Sequence, residues 1–383
     1  MRNTLTTISR ILVGVLFIIS GFIKANDPLG FAYKLDEYFV VFHTEWMSSV
    51  SLYLSMFICV FEVALGFALL LGAKIRAVAW SLLLMILFFT FLTFYSAYFD
   101  VVKDCGCFGD ALHLTPWQSF TKDAVLLVLI LIIFINRKNI SSLLGEKASN
   151  LVAYTFMLVS FFFTLYCYRH LPVIDFRPYA VGKNILEGMT LPPDAKQTIT
   201  EMIFIYEKDG KKVELNTEQL KTIDETYKFV DRKDKVIQQG DVPHIHDFNM
   251  YDDDGADYKE EFLSFPGYKF MLVAYDINKS DENVQHKIND FAALCQKEKI
   301  PFIGLSGSVA KDIDVFRHEH NSMFNYYQCD MTTLKTIIRS NPGLVLLNGA
   351  TVVAIWHYND FPSFDEVKGK HLSKIILAPA LEN

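Results

Sequence analysis

Five long apolar segments in the first 170 residues constrain this chain more than any other feature. They cover residues 5–23, 52–71, 77–99, 117–135 and 151–168. A bilayer core of about 30 Å requires about 20 mostly apolar residues in a helix, so each segment is a candidate transmembrane helix. The sequence therefore predicts an integral membrane protein whose first partner is the lipid bilayer.

The first segment is the weakest of the five, because Arg10 interrupts it. Its short apolar core also fits a signal peptide, with Arg2 and Arg10 as the charged region. No small-x-small cleavage site follows Ser20, which favours a retained helix. Either alternative leaves Lys24 on the outer side, so the predicted topology is the same.

Charge divides the chain near the end of the fifth segment. The first 170 residues carry 12 Lys and Arg against 10 Asp and Glu, whereas the remainder carries 24 against 33. A single soluble domain would mix charged and apolar residues throughout, so a membrane part and a water-facing part are predicted. The acidic second part has no basic stripe, which excludes nucleic acid as an expected partner.

The positions of Lys and Arg predict the orientation in the membrane. With a cytoplasmic N-terminus, the cytoplasmic ends hold most of the basic residues, namely Arg2, Arg10, Lys74, Arg76, Arg137, Lys138 and Lys147. The outer loops then hold Lys24, Lys34 and Lys103 among many acidic residues. Because basic loops remain in the cytoplasm, we expect an inner (cytoplasmic) membrane protein with a periplasmic C-terminal domain.

The second part alternates strand and helix patterns. Residues 171–239 indicate a connector that contains a β-hairpin about Asp209-Gly210. Further on, the pattern predicts strands at 269–275, 301–305 and 323–329, helices at 284–297 and 332–339, and a hairpin about Asn348-Gly349. This order indicates an α/β domain.

The order of these elements resembles a thioredoxin-like fold of the peroxiredoxin and TlpA type. The resemblance rests on residues 243–248 (PHIHDF), on Asp254-Gly255, and on Pro342, whose family counterpart is cis. The family's redox cysteines follow the first central strand, where this chain has residues 276–281 (DINKSD). The resemblance therefore implies the fold, but the missing cysteines argue against the family's usual redox activity in this domain.

Two cysteines, Cys105 and Cys107, lie in the loop before the fourth apolar segment, within DCGCFGD at 104–110. Cysteines so close together form a disulfide only under strain, and strained disulfides exchange readily. Gly106 permits the tight backbone that this requires. The alternatives are a metal site completed by His113 and a glycine turn with inert thiols. No second cysteine pair is present, so no metal is expected.

This loop, together with residues 20–24 (SGFIK) and Glu62, resembles the DoxX/MauE membrane family over residues 5–137. The C-G-C-F-G loop between helices three and four is the MauE-like mark. The resemblance implies a four-helix bundle and oxidation at the outer face: disulfide formation in periplasmic partners for MauE, and thiosulfate oxidation into the quinone pool for DoxX. We therefore expect a quinone as cofactor and a periplasmic protein partner.

Glu62 is the third candidate catalytic residue. An ionisable side chain at mid-span is costly in lipid and usually faces the bundle interior. It could pair with Lys24 or Lys122, relay a proton to a quinone, or form a purely structural hydrogen bond. The other cysteines are expected to be packed thiols, namely Cys59, Cys167, Cys295 and Cys329.

The sequence thus predicts four regions: a DoxX/MauE-like bundle (1–137), a fifth transmembrane helix (149–170), a connector (171–239) and a thioredoxin-like domain (240–383). The expected function is periplasmic thiol/disulfide or sulfur redox chemistry by Cys105, Cys107 and Glu62. The alternative is a non-catalytic, membrane-anchored scaffold or binding module of an envelope complex.

Overall fold

The computed structural model describes residues 2–102, 104, 106–191, 195–196, 199–208, 211–217, 219–224, 226–238 and 240–372. Cys105, Lys103 and the predicted turn Asp209-Gly210 therefore lie outside the described residues.

Six helices form the N-terminal part: α1 (Arg2–Asn26), α2 (Pro28–Val41), α3 (Ser51–Leu71), α4 (Ile75–Phe99), α5 (Pro116–Asn136) and α6 (Glu146–Arg169). All but α2 are long and apolar enough to cross a membrane, which confirms the five predicted spans. Helices α1, α3, α4 and α5 share an aliphatic core around Leu69, Leu82 and Ile130. Helix α6 packs against α3 outside this core.

Arg10 supports the first span instead of interrupting it. Its guanidinium donates to the carbonyl oxygens of Leu69 and Leu70, at 2.7 and 2.6 Å. These carbonyls belong to the last turn of α3, where they lack partners within the helix. A basic side chain satisfies them and also complements the negative end of the helix dipole.

Helix α2 lies between the first two spans and was not predicted by the apolar pattern. Asp27 caps it by accepting from the Gly30 amide at 2.9 Å, and Pro28 occupies its first turn. Its buried face carries Phe31, Leu35 and other apolar residues that share a cluster with Cys59 of α3. The helix has 14 residues, too few to span a bilayer core.

A small antiparallel sheet follows the membrane part, with strands β1 (Ile199–Lys208), β2 (Lys211–Asn216) and β3 (Lys228–Gln238) in the order β2-β1-β3. The β1–β2 pair confirms the predicted hairpin. Strand β3 was not predicted, because its sequence KFVDRKDKVIQ alternates charges rather than apolar residues.

The C-terminal domain is built on strands β4 (Tyr268–Val273), β5 (Phe302–Ser306), β6 (Tyr326–Gln328), β7 (Gly343–Asn348) and β8 (Thr351–His357), in the order β6-β5-β4-β7-β8. Strands β4, β5 and β6 are parallel, while β7 and β8 are antiparallel. One hydrophobic cluster covers each face of the sheet. The Asn341-Pro342 bond is cis, as predicted. The fold is thioredoxin-like.

The helices of this second part are α7 (Ile185–Gly188), α8 (Lys259–Ser264), α9 (Gln285–Lys297), α10 (Ala310–His320), α11 (Met331–Ile337) and α12 (Phe364–Val367). The structure corrects the predicted helix 332–339, because α11 ends at Ile337 and leaves Arg339 in the turn before Pro342. Cys295 in α9 and Cys329 after β6 are buried, as expected for packed thiols.

Candidate functional site

A buried ion pair joins the end of α1 to the middle of α3. Lys24 Nζ lies 2.6 Å from Glu62 Oε1, and both side chains are almost completely buried. Of the two partners expected for Glu62, Lys24 is therefore the one present, and Lys122 instead pairs with Asp123 at 2.9 Å. The expectation that Lys24 lies in an outer loop is wrong, because it belongs to α1 and is buried.

Glycine explains how the two helices approach closely enough for this pair. A Cβ atom at Gly21 would lie 2.9 Å from the Val63 amide nitrogen and 3.0 Å from Glu62 Cβ. Any larger residue would push α1 away from α3 at the level of the ion pair. The aromatic rings of Phe31 and Phe89 also cover the Lys24 ammonium, at 5.2 and 5.3 Å.

Ser20 connects this ion pair to the cysteine loop. Its hydroxyl oxygen lies 3.2 Å from Glu62 Oε2 and 3.0 Å from the Cys107 carbonyl oxygen. One hydroxyl proton serves these two acceptors in turn. Cys107 also lines the same small pocket as Lys24 and Glu62. Cys107 is thus placed directly over the buried charges.

A second ion pair lies beside the first and was not proposed from the sequence. Asp123 accepts from the Thr93 hydroxyl at 3.0 Å and pairs with Lys122, whose ammonium lies 5.3 Å from the centre of the Phe108 ring. Both pairs and Cys107 line one pocket of about 30 Å³. The sequence feature that could have indicated this second ion pair is Lys122-Asp123, which stands just before the purely aliphatic part of α5.

The loop itself is held by local hydrogen bonds. Asp104 accepts from the Gly106 amide at 3.1 Å, and its other oxygen lies 2.9 Å from His113 Nδ1. Gly106 has φ +68°, a conformation that favours glycine. No group of three metal-binding side chains occurs among the residues that the structure describes. Because Cys105 is outside that part, the absence of a metal stays a prediction.

The thioredoxin-like domain contacts the loop through Arg339. This guanidinium lies 2.8 Å from Asp27 at the start of α2 and 3.0 Å from Asp110, three residues after Cys107. Its side chain is 6% exposed. Burial alone would lower the pKa of Arg339, but the two carboxylates outweigh burial and raise it. Arg339 therefore remains charged and ties the loop to α2.

A second contact uses the residues that follow strand β4. The hydroxyl oxygens of Tyr275 and Tyr33 lie 3.3 Å apart, and burial raises the pKa of both phenols. The backbone carbonyl oxygen of the next residue, Asp276, accepts from the Asn341 side-chain amide at 2.8 Å. Thioredoxin-like proteins carry their redox cysteines just after this strand. The equivalent face of this domain is thus turned toward α2 and the cysteine loop.

The fold and these contacts define a helical membrane protein with a thioredoxin-like domain docked over a cysteine loop. Residues 2–136 match the family described as "Methylamine utilisation protein MauE", so this part of the chain is MauE-like. Residues 200–239, which contain the small antiparallel sheet, match a domain of unknown function, DUF8463.

One curated relative is "Protein TlpB" of Flavobacterium psychrophilum, which is 28% identical over 130 residues. The aligned region is 33% of this chain, and it covers only 35% of the relative's length. No solved structure matches the chain.

Proposed function

We propose that the Cys105–Cys107 loop is a redox site that exchanges its disulfide with a thiol or sulfur substrate at the outer face of the inner membrane. The observation that supports this proposal is the position of Cys107 over a buried ion pair. Such a site costs stability in a membrane protein, because each buried charge must be desolvated. The presence of such a costly pair beside a cysteine loop favours a role in the chemistry of that loop.

The exchange uses only the sulfur atoms of the loop and of the substrate. A substrate thiolate attacks one sulfur atom of the loop disulfide and forms a mixed disulfide. A second substrate thiol then attacks the mixed disulfide, so the substrate leaves oxidised and the loop retains two thiols. The two substrate protons end on Cys105 and Cys107. Lys24, which lines the same pocket as Cys107, stabilises the negative charge that develops on the leaving sulfur atom in this step.

Glu62 has a separate role in this proposal. Its Oε2 atom reaches the Ser20 hydroxyl, which also reaches the backbone of the loop. Glu62 therefore holds Lys24 in place and fixes Ser20 beneath Cys107. In this position it can accept a proton when the loop thiols are oxidised again.

Regeneration of the disulfide needs a two-electron acceptor, and the resemblance to the DoxX/MauE family implies a quinone. The pocket beside Cys107 does not fit a quinone ring, since about 30 Å³ holds about two water molecules. Electron transfer to a quinone is therefore not placed in this pocket. A quinone as the final acceptor stays a prediction.

The direct test is the redox state of the purified chain. We expect mass spectrometry without reduction to find a Cys105–Cys107 disulfide, and alkylation after incubation with excess thiol to label both cysteines. Cys59, Cys167, Cys295 and Cys329 are more deeply buried than Cys107, which is 9% exposed, and serve as internal controls for unfolding. Two thiols that stay reduced under oxidising conditions would contradict the proposal.

The proposed orientation has its own test. A reporter that works only outside the cytoplasm should be active when fused after residue 383 and silent when fused at Lys147, because the basic loops remain in the cytoplasm. Periplasmic alkaline phosphatase activity and cytoplasmic fluorescence measure the two sides. The reverse pattern would contradict both the orientation and the periplasmic position of the thioredoxin-like domain.

One observation favours the alternative function, a membrane-anchored scaffold. Strand β3 exposes Phe229 at 59% and Val230 at 39%, and Met202 on β1 is 41% exposed. Exposed apolar side chains at the surface of a small sheet offer contacts to a protein partner. This surface is distant in sequence from the cysteine loop, so both functions could occur in one chain.

A further inference from the structure

The membrane part and the thioredoxin-like domain enclose a cleft of about 340 Å³. Gly106, the residue between the two cysteines, is part of its lining, together with α2 on one side and α11 on the other. Pockets for small molecules have volumes of about 300–1,000 Å³, so this cleft suits a small ligand. A folded protein domain is too large to enter while Arg339 holds the two parts together.

Nearly all charged groups that line the cleft already have an opposite charge as partner. These pairs are Arg339 with Asp27 and Asp110, Arg177 with Asp175, Lys34 with Glu37, and Lys24 with Glu62, while Asp104 is hydrogen-bonded to His113, which is charged only when protonated. Arg339 serves two carboxylates, so the paired groups leave the lining with a net negative charge, which favours a ligand that carries a positive group.

Two charged groups remain without an ion-pair partner among the residues that the structure describes. The buried Asp36 Oδ1 atom on α2 has no hydrogen-bond partner there. Lys335 on α11 meets only aromatic faces, with Nζ 4.7 Å from the centre of the Tyr33 ring and 5.9 Å from that of Tyr275. A buried carboxylate oxygen without a partner is costly, and a positive group in the cleft that Asp36 lines would offset this cost.

We propose that this cleft binds a small thiol that carries both an ammonium and a carboxylate group, with Asp36 facing the ammonium and Lys335 the carboxylate. The proposal rests on the proposed function, because the ligand's sulfur atom reacts at the cysteine loop. One unpaired negative and one unpaired positive group select a zwitterion over a singly charged thiol. Gly106, between the two cysteines in the sequence, lines the cleft, and the Lys34 side chain lies against it.

The reaction balances with two molecules of the small thiol. The first forms a mixed disulfide with the loop, and the second releases it as the symmetric disulfide of the ligand. The loop disulfide is reduced by two electrons and gains the two protons that the thiols lose. A cleft of this size admits the two molecules one after the other.

Three simple thiols test the assignment on the full purified chain with an oxidised loop. Cysteine carries both charged groups, cysteamine only the ammonium, and 3-mercaptopropionate only the carboxylate. We expect Lys335→Met to raise the half-saturating concentration about tenfold for cysteine and 3-mercaptopropionate, and to leave cysteamine unchanged. Asp36→Asn should raise the half-saturating concentration for cysteine and cysteamine, and leave 3-mercaptopropionate unchanged. Loop reduction is read from alkylation of Cys105 and Cys107 by mass spectrometry.

The thiol that lacks the affected group controls for folding in each variant. Lys335→Arg and Asp36→Glu should retain wild-type selectivity, and Lys311→Met, a charge change on the exposed part of α10, should have no effect. If all three thiols reduce the loop equally in every variant, the zwitterion site is excluded while the redox function stands. If only a protein dithiol reduces the loop, the small-thiol assignment is wrong. If no thiol reduces it, the proposed function itself fails.

Discussion

Cys107→Ser is expected to lower thiol oxidation by the purified chain to the background rate. A disulfide needs two sulfur atoms, so neither cysteine of the loop can complete an exchange without the other. Cys105→Ser should have the same effect for the same reason. Membrane insertion and folding should remain intact, because serine is similar in size to cysteine. The measurement is the rate of thiol loss, with thermal unfolding recorded in parallel.

Cys295→Ala and Cys329→Ala are the matched controls. Both thiols are buried in the thioredoxin-like domain, and burial raises the pKa of Cys329 to about 12. At neutral pH such a thiol is almost fully protonated and does not attack disulfides. Both controls should oxidise thiols at the wild-type rate. A Cys105/Cys107 double variant that oxidises thiols as fast as the wild type would reject the redox site and favour the scaffold.

The second large effect is expected from breaking the buried ion pair. Lys24→Met and Glu62→Leu should each destabilise the bundle by about 3–5 kcal/mol, because each leaves one charge buried without a partner. The double variant should recover most of this loss, since it replaces the pair by apolar side chains of similar size. Unfolding in detergent or bicelles measures the difference, and the double-mutant cycle isolates the pair.

Ser160→Ala provides the reference for this cycle. Its hydroxyl is buried in α6 and donates to the Met157 carbonyl oxygen of its own helix, at 2.9 Å. Losing that bond should cost about 1 kcal/mol. If the two single variants of the ion pair cost no more than this reference, the pair does not stabilise the bundle. If their effects simply add, Lys24 and Glu62 are not coupled.

The membrane spans could be predicted because length and apolarity alone determine them. Helix α2 escaped the same reasoning, since it is too short to span and carries Asp36 and Glu37 within an aromatic sequence. Its start was nevertheless signalled by Asp27-Pro28, an N-cap residue followed by proline in the first turn. Strand β3 gave no apolar alternation, because much of its surface remains exposed to solvent.

The candidate site was predictable only in part. Glu62 needed a counter-ion in an apolar helix, and the few nearby basic residues reduced the choice to Lys24 or Lys122. The contact between Arg339 and Asp27 could not be predicted in this way. The two residues are 312 positions apart, and the turn before Pro342 that contains Arg339 has no unusual sequence feature. Docking between two domains depends on the shapes of folded surfaces, which a single sequence does not reveal.

The link made by Arg339 also sets an order of assembly. During synthesis the N-terminal helices are made first, and each domain folds as it emerges. Asp27 and Asp110 therefore cannot form their ion pairs with Arg339 until residues far downstream have been synthesised and folded. The cysteine loop acquires its final support only at that stage. The contacts that join α2 to the cysteine loop are therefore complete only when the thioredoxin-like domain has folded.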